Sequence, residues 1–314
     1  MKKLKEPCRV ALVDCLAVKE KDKVLIITDE VLRKIGYAFF QTAKELGMDV
    51  VLTEIVPRKN HGEEPPEIVS ELMENADVII APTSKSLSHT TARKNANKQG
   101  TRIVTLPNIN EDIMVRTLSC DYNRIKELTE KLTKILTAGK EATVMNELGT
   151  DISLSIETRK GLSDTGIVHT PGSFSNLPAG ESFIAPLEGT ANGVICFTGS
   201  FAGVGKLKGT LKIYVENGLA VKVEGDRKVE EKFKTAGEPE RNIAELGIGT
   251  NYKAKLSGNV LEDEKVLGTV HIALGDNHTF GGKVHAKFHH DGMIVKPTLK
   301  IDGKLIMERG KLVV

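Results

Sequence analysis

Residues 23–47 run Lys23-Val24-Leu25-Ile26-Ile27-Thr28-Asp29-Glu30-Val31-Leu32-Arg33-Lys34-Ile35-Gly36-Tyr37-Ala38-Phe39-Phe40-Gln41-Thr42-Ala43-Lys44-Glu45-Leu46-Gly47. The short unbroken apolar run at the start has the form of a buried strand. Thr28 or Asp29 then stands where a helix N-cap is needed. Val31, Leu32, Ile35, Ala38, Phe39, Ala43 and Leu46 follow at helical spacing and form one stripe, and Gly47 is placed to end the helix. Strand, cap, amphipathic helix and glycine together make one α/β unit.

The pattern recurs downstream. Val50-Val51-Leu52 reads as a strand and 66–73 as a helix. Ala76-Asp77-Val78-Ile79-Ile80 and Arg102-Ile103-Val104-Thr105-Leu106 are further buried strands, and helices fit at 89–98, 110–118 and 121–138. Such alternation predicts a parallel sheet with helices on both faces. Glycine marks a change of architecture, with 6 in residues 1–150 and 23 in residues 151–314. The expected division is a Rossmann-like α/β domain over 1–145 and a β-rich α+β domain, carrying the metal chemistry, over 146–314. In the second half, Leu211–Val215 and Leu219–Val223 alternate on either side of Asn217-Gly218, a hairpin signal. Residues 299–307, turning at Asp302-Gly303, form a second hairpin, and 228–236 a helical interlude.

Composition excludes several function classes. Of 314 residues, 44 are Lys or Arg and 42 Asp or Glu, a formal net charge of +2. That balance argues against a protein built to grip phosphates. With no Trp, 4 Tyr and 9 Phe, base-stacking surfaces and membrane aromatic belts are also disfavoured. No apolar run approaches the ~18 residues of a membrane span, and Arg9 and Asp14 interrupt what would be a signal-peptide core. Cys8, Cys15, Cys120 and Cys196 form no CxxC. The expectation is a cytoplasmic, two-domain protein without nucleic-acid or membrane partners. Gly199–Lys206 resembles a phosphate loop only briefly, because Leu207 stands where Ser or Thr is required and a hairpin follows instead of a helix. It reads as a glycine-rich β turn.

Histidine carries the chemistry. Of 8 in the chain, His271, His278, His285, His289 and His290 fall within twenty residues, followed at once by Asp291. Imidazole with carboxylate suits Zn, Mn, Fe or Co. On a strand, His289 and Asp291 share a face and His290 faces away. Asp291-Gly292 is equally a hairpin-turn dipeptide, and His285 and His290 fit exposed surface. Glu181 lies between turn residues and an apolar strand, and Glu245 is a lone acid among apolar and glycine residues. Burial of either demands pairing or a metal, or hydrogen bonds to nearby backbone amides. Ser88-His89-Thr90 follows a strand, with Ser88 a natural N-cap and His89 open to a substrate role at a strand end.

These stretches together resemble the aminopeptidase T family, the M29 metallopeptidases, most strongly over 171–193 and 242–294. Weaker echoes are Ser88-His89-Thr90 with Arg93 and Gly100-Thr101-Arg102-Ile103 with Pro107. The resemblance implies a two-metal site with ligands Glu181, Glu245, His271, His289 and Asp291. It implies two divalent ions (Zn, Co or Mn), a small peptide or other small-molecule substrate, and a homodimer. Glu245 would bridge the ions or take a proton from water. Where the family has a tyrosine that steadies the tetrahedral intermediate, this chain has His278, which would face the oxyanion. The expected activity is therefore that of a metalloaminopeptidase. The superfamily also resembles ring-cleaving dihydroxypyridine dioxygenases, for which His271, His289 and Asp291 would form a two-histidine, one-carboxylate Fe(II) site. A third reading is a non-catalytic binding protein stabilised by its metal.

Overall fold

The protein is represented by a computed structural model, which describes residues 2–314. It divides into two compact units, one of residues up to 126 with 164–179, the other of 127–163 with 180–314. The expected break at 145/146 is therefore corrected twice. Glu141–Met145 is a strand of the second unit, paired with Asp151–Ser155 and Thr298–Ile301. Phe174–Asn176, far along the chain, returns to pair in parallel with Arg102–Thr105 in the first. Glycine content reports local turn density and is blind to strand pairing across seventy residues.

The first unit holds a parallel sheet in the order Asp49–Ile55, Lys23–Asp29, Val78–Ala81, Arg102–Thr105, Phe174–Asn176. Val78–Ala81 and Arg102–Thr105 are buried at every position, so neither face of the sheet centre is open to water. The helix after the first strand is Arg33–Glu45, with Ile35, Ala38, Phe39 and Ala43 buried as its spacing predicts. Its start differs from the expectation. Thr28 and Asp29 continue the strand, and the Asp29 carboxylate accepts hydrogen bonds from Leu32 N–H (3.1 Å) and from Ser84 N–H and Oγ (2.6 Å each). Helix and strand press together at Gly36, where an added Cβ would lie 2.6 Å from Thr28 Cβ. Further helices are Glu67–Glu74, Thr91–Lys98 and Glu111–Leu118, and Tyr122–Ala138 begins in this unit and continues in the second. The cap of Thr91–Lys98 is Thr90, not Ser88. Ser88 instead bonds Ser86, Thr105 and Asn176, a buried polar network that outcompetes the local cap.

The second unit contains two antiparallel sheets around one apolar core. The eight-stranded sheet is led by Leu219–Glu224 and Leu211–Glu216, whose connecting Asn217 and Gly218 both have positive φ (48° and 79°), the conformation of a primed hairpin turn. Asp302 and Gly303 do the same for Thr298–Ile301 and Lys304–Glu308. The helix Arg227–Thr235 is capped by Asp226, and Ser200–Phe201 with Gly205–Lys206 form the small hairpin expected in place of a phosphate loop. The seven-stranded sheet runs Gly205–Lys206, Ser200–Phe201, His289–Ile294, Val270–Gly275, Ile243–Gly249, Glu181–Ile184, Leu162–Asp164. Ile184, Leu246, Ile248, Ile272, Leu274 and Ile294 from this sheet bury against Val144, Leu154, Ile195 and Leu299 from the other. Among the described residues no helix is long and apolar enough to cross a membrane.

Phe197 is fully buried in this core and lies against Gly292, where an added Cβ would come 2.6 Å from its ring. Phe197→Ala is expected to destabilise the protein by about 3–5 kcal/mol, read as a lower urea midpoint with an unchanged slope.

Candidate metal centre

Strand register puts the five predicted ligands on one face. Paired residues of an antiparallel sheet point the same way, and alternate residues along a strand do too. Asp291 pairs with Ala273, and Ala273 with Glu245. His271, two before Ala273, pairs with Gly247, while Gly249 pairs with Glu181 and Gly275 with His289. The small residues Gly247, Gly249, Ala273 and Gly275 alternate with the ligands across this face. They leave room for the long polar side chains. A Cβ on Gly247 would run into the His271 imidazole.

Glu245 reaches this face through an irregularity in pairing. Ile243 pairs with Leu274 and Glu245 with Ala273, so the register shifts between them. In a regular strand residues 243 and 245 would share a face. The bulge lets Ile243 enter the apolar core while Glu245 points into the site.

The side chains converge as two groups sharing Glu245. Glu181 and Glu245 flank His271, whose Nε2 lies 2.9 Å from Glu181 Oε1 and 3.2 Å from Glu245 Oε1. His289 Nε2 lies 3.2 Å from Asp291 Oδ1 and 3.4 Å from Glu245 Oε2. Each group brings its donor atoms within 4.8 Å of one another, as an ion requires. His289 Nδ1–H donates to the Asp276 carbonyl (2.8 Å), which fixes the tautomer and turns Nε2 inward. His271 is fully buried, and its Nδ1 has no hydrogen-bond partner among the described residues, so the carboxylates alone orient this ring. A buried set of carboxylate oxygens and imidazole nitrogens without thiolate fits a divalent first-row metal.

Electrostatics bind the cluster together. Burial pushes Glu245 up to about 6, with His271 and His289 opposing. Burial would raise Glu181 as well, but Lys265 and His271 outweigh it and hold the carboxyl well below the usual range. Burial disfavours the His289 imidazolium, yet Asp291 and Glu245 push it up to about 10, and Glu181 similarly raises His271.

The remaining predicted residues separate. Asp291 and Gly292 lie inside the His289–Ile294 strand, which excludes the turn reading. His290 faces the opposite side, as alternation predicts, but is not plain surface: its ring stacks on Phe288 (4.0 Å) and burial lowers it to about 4. His278, on the 3-10 turn His278–Phe280, belongs to neither of these groups and instead forms a third candidate ligand group with Asp276 and His285. It bonds the Asp276 carboxylate (2.9 Å) and stacks on exposed His285 (3.8 Å). His89 is exposed. Sequence reading missed Lys265 and Glu264. The run Glu262-Asp263-Glu264-Lys265 looks like a solvated charged turn, yet Glu262, Asp263 and Lys265 are buried, and Lys265 Nζ bonds Glu181 and Glu264. No local signal separates such a run from surface.

A sheet face carrying this donor set could hold a metal ion. The chain matches the family model described as NicX, 2,5-dihydroxypyridine 5,6-dioxygenase, over residues 3–314, and it belongs to that family. It is similar in structure to 2,5-dihydroxypyridine dioxygenase from Pseudomonas putida KT2440, with TM-score 0.85, 17% identity and coverage of 99% of this chain and 97% of that one. Wild-type AmpT from Thermus thermophilus gives TM-score 0.74, 17% identity and coverage of 100% and 99%. At such identity both likenesses speak for the fold alone. A comparison with curated proteins finds no match. The resemblance to the aminopeptidase T family thus holds for the fold, and the aminopeptidase function expected from it is overturned by the family match. The oxyanion role of His278 belonged to that function.

The raised histidine gives a sign to pH dependence. In chelator-treated protein, stability from His289 is fully present below the unfolded value of about 6.5 and is lost as pH rises towards about 10. The melting temperature of such protein is expected to fall from pH 7 to pH 10, and metal loading, which displaces the same protons, to flatten that slope. Equal slopes with and without metal would count against this centre.

Proposed function

We propose that the chain is a ferrous-iron ring-cleaving dioxygenase acting on a dihydroxylated pyridine or a closely related aromatic ring. The family match over residues 3–314 carries this reading, and the convergence of His271 and His289 with Glu181, Glu245 and Asp291 supports it, since imidazole with carboxylate is the ligand chemistry of non-haem Fe(II) oxygenases. Fe(II) held by these residues would supply the one-electron chemistry that lets dioxygen react with an electron-rich ring.

The surrounding residues suit such a substrate. Phe183 follows Glu181 by two positions and shares its face. Phe280 meets Phe183 edge-on (5.7 Å) and His289 edge-on (5.5 Å). The two phenyl rings form an apolar wall beside the ligands, fit to hold a flat ring and exclude water. Glu245, shared by the two ligand groups and beside both His271 and His289, is placed to take the proton of a ring hydroxyl as substrate binds.

Fe(II)-loaded protein is expected to consume dioxygen with 2,5-dihydroxypyridine as the ring absorbance disappears. Glu245→Gln should slow turnover by about 10²–10⁴-fold, and Asp291→Ala should remove both bound iron and activity. No dioxygen uptake with dihydroxypyridines or catechols by protein shown to hold iron would overturn the reading.

A further inference from the structure

The loop between the strands Val270–Gly275 and His289–Ile294 carries imidazole and carboxylate of its own. Asp276, His278 and His285 each place one donor atom within 4.8 Å of the others. His278 Nδ1 lies 2.9 Å from both Asp276 carboxylate oxygens, and its ring stacks on that of His285 with centroids 3.8 Å apart. The two histidines are seven residues apart in sequence, and bonds in which neither takes part bring them together. Asn277 N–H donates to the Val284 carbonyl (3.1 Å), and Val284 N–H donates to Asn277 Oδ1 (2.9 Å), which closes the loop at a neck. Beside it, Asp276 N–H donates to the Phe288 carbonyl (2.8 Å) and Ala286 N–H to Asp276 Oδ2 (3.1 Å). From outside the loop, Glu188 Oε1 accepts from Lys283 N–H (2.8 Å) and Asn277 Nδ2 (3.2 Å), and the Arg159 guanidinium bonds the Gly281 carbonyl. The fold has already met the entropy cost of bringing these donors together.

We propose that Asp276, His278 and His285 form a second divalent-ion site, separate from the centre on the sheet face, which takes Zn(II) or a neighbouring late first-row ion such as Ni(II) or Cu(II). Two imidazoles with one carboxylate suit those ions. His278 and His285 are exposed, so water completes the coordination shell. The site also bears on the neighbouring pocket. The Asp276 carbonyl accepts from His289 Nδ1 (2.8 Å), and the turn that begins at His278 carries Phe280, which meets Phe183 edge-on (5.7 Å). An ion held here tethers that turn, and with it the apolar wall. The inference depends neither on the substrate nor on which ion the sheet face takes.

The test is an ion count on full-length protein dialysed against micromolar Zn(II), comparing wild type with His285→Gln and His278→Gln. Both substitutions fall at exposed positions. Wild type is expected to hold one ion per chain more than either variant. The same difference is expected between Asp291→Ala and Asp291→Ala/His285→Gln, which separates this site from the centre on the sheet face. Hydrogen exchange of the amides of residues 277–284 is expected to slow on adding Zn(II) to wild type and to stay unchanged in His285→Gln. Equal ion counts in wild type and the two variants overturn the proposal, as does loop exchange in wild type that ignores Zn(II). Both readouts are independent of dioxygen uptake, so failure of the dioxygenase reading leaves them interpretable, and the reverse.

Discussion

The second unit is organised around charge that has been taken out of water. Glu181, Glu245 and Asp291 are each more than nine-tenths buried, and His271 is wholly so. Isolated carboxylates in such surroundings would cost several kcal/mol each. They persist because each has a partner: Lys265 and His271 on Glu181, His271 and His289 on Glu245, His289 on Asp291. Proton, ammonium and metal ion are interchangeable currencies in that neutralisation. This is why the histidines are pushed up and Glu181 down while Glu245, with the weakest compensation, rises.

Sheet geometry satisfies this demand without disturbing the core. One face of the seven-stranded sheet is apolar and packs inward, while the other alternates ligands with Gly247, Gly249, Ala273 and Gly275. The density of glycine in this half of the chain has its use here. Several of these residues clear space for side chains and do not form turns. The bulge before Glu245 performs the one switch of face that strict alternation forbids. Outside the ligands, the Asp276 carbonyl aims His289, and Phe183 and Phe280 wall the site.

A shared fold does not settle chemistry. This chain superposes with TM-scores of 0.85 and 0.74 on two solved proteins that carry different names, and its ligand motifs resemble a peptidase family closely enough to suggest hydrolysis. What separates the readings is the match of residues 3–314 to the dioxygenase family model.

The sequence by itself determined the two architectures, the helices that follow the first strand to within a few residues and both primed hairpins, while its resemblance to a metallopeptidase family implied the five residues that converge on one sheet face. The architectures and hairpins are local properties: periodicity, and an Asn-Gly or Asp-Gly pair. Only the tertiary structure decided where the units divide, because Phe174–Asn176 joins a sheet whose other strands lie about seventy or more residues earlier. Only it turned Ser88 from a cap into part of a buried network, placed His290 against aromatic rings, and buried Lys265 beside Glu181. Those outcomes depend on which distant strand supplies the neighbour. A charged side chain reads the same in sequence whether water or a carboxylate receives it.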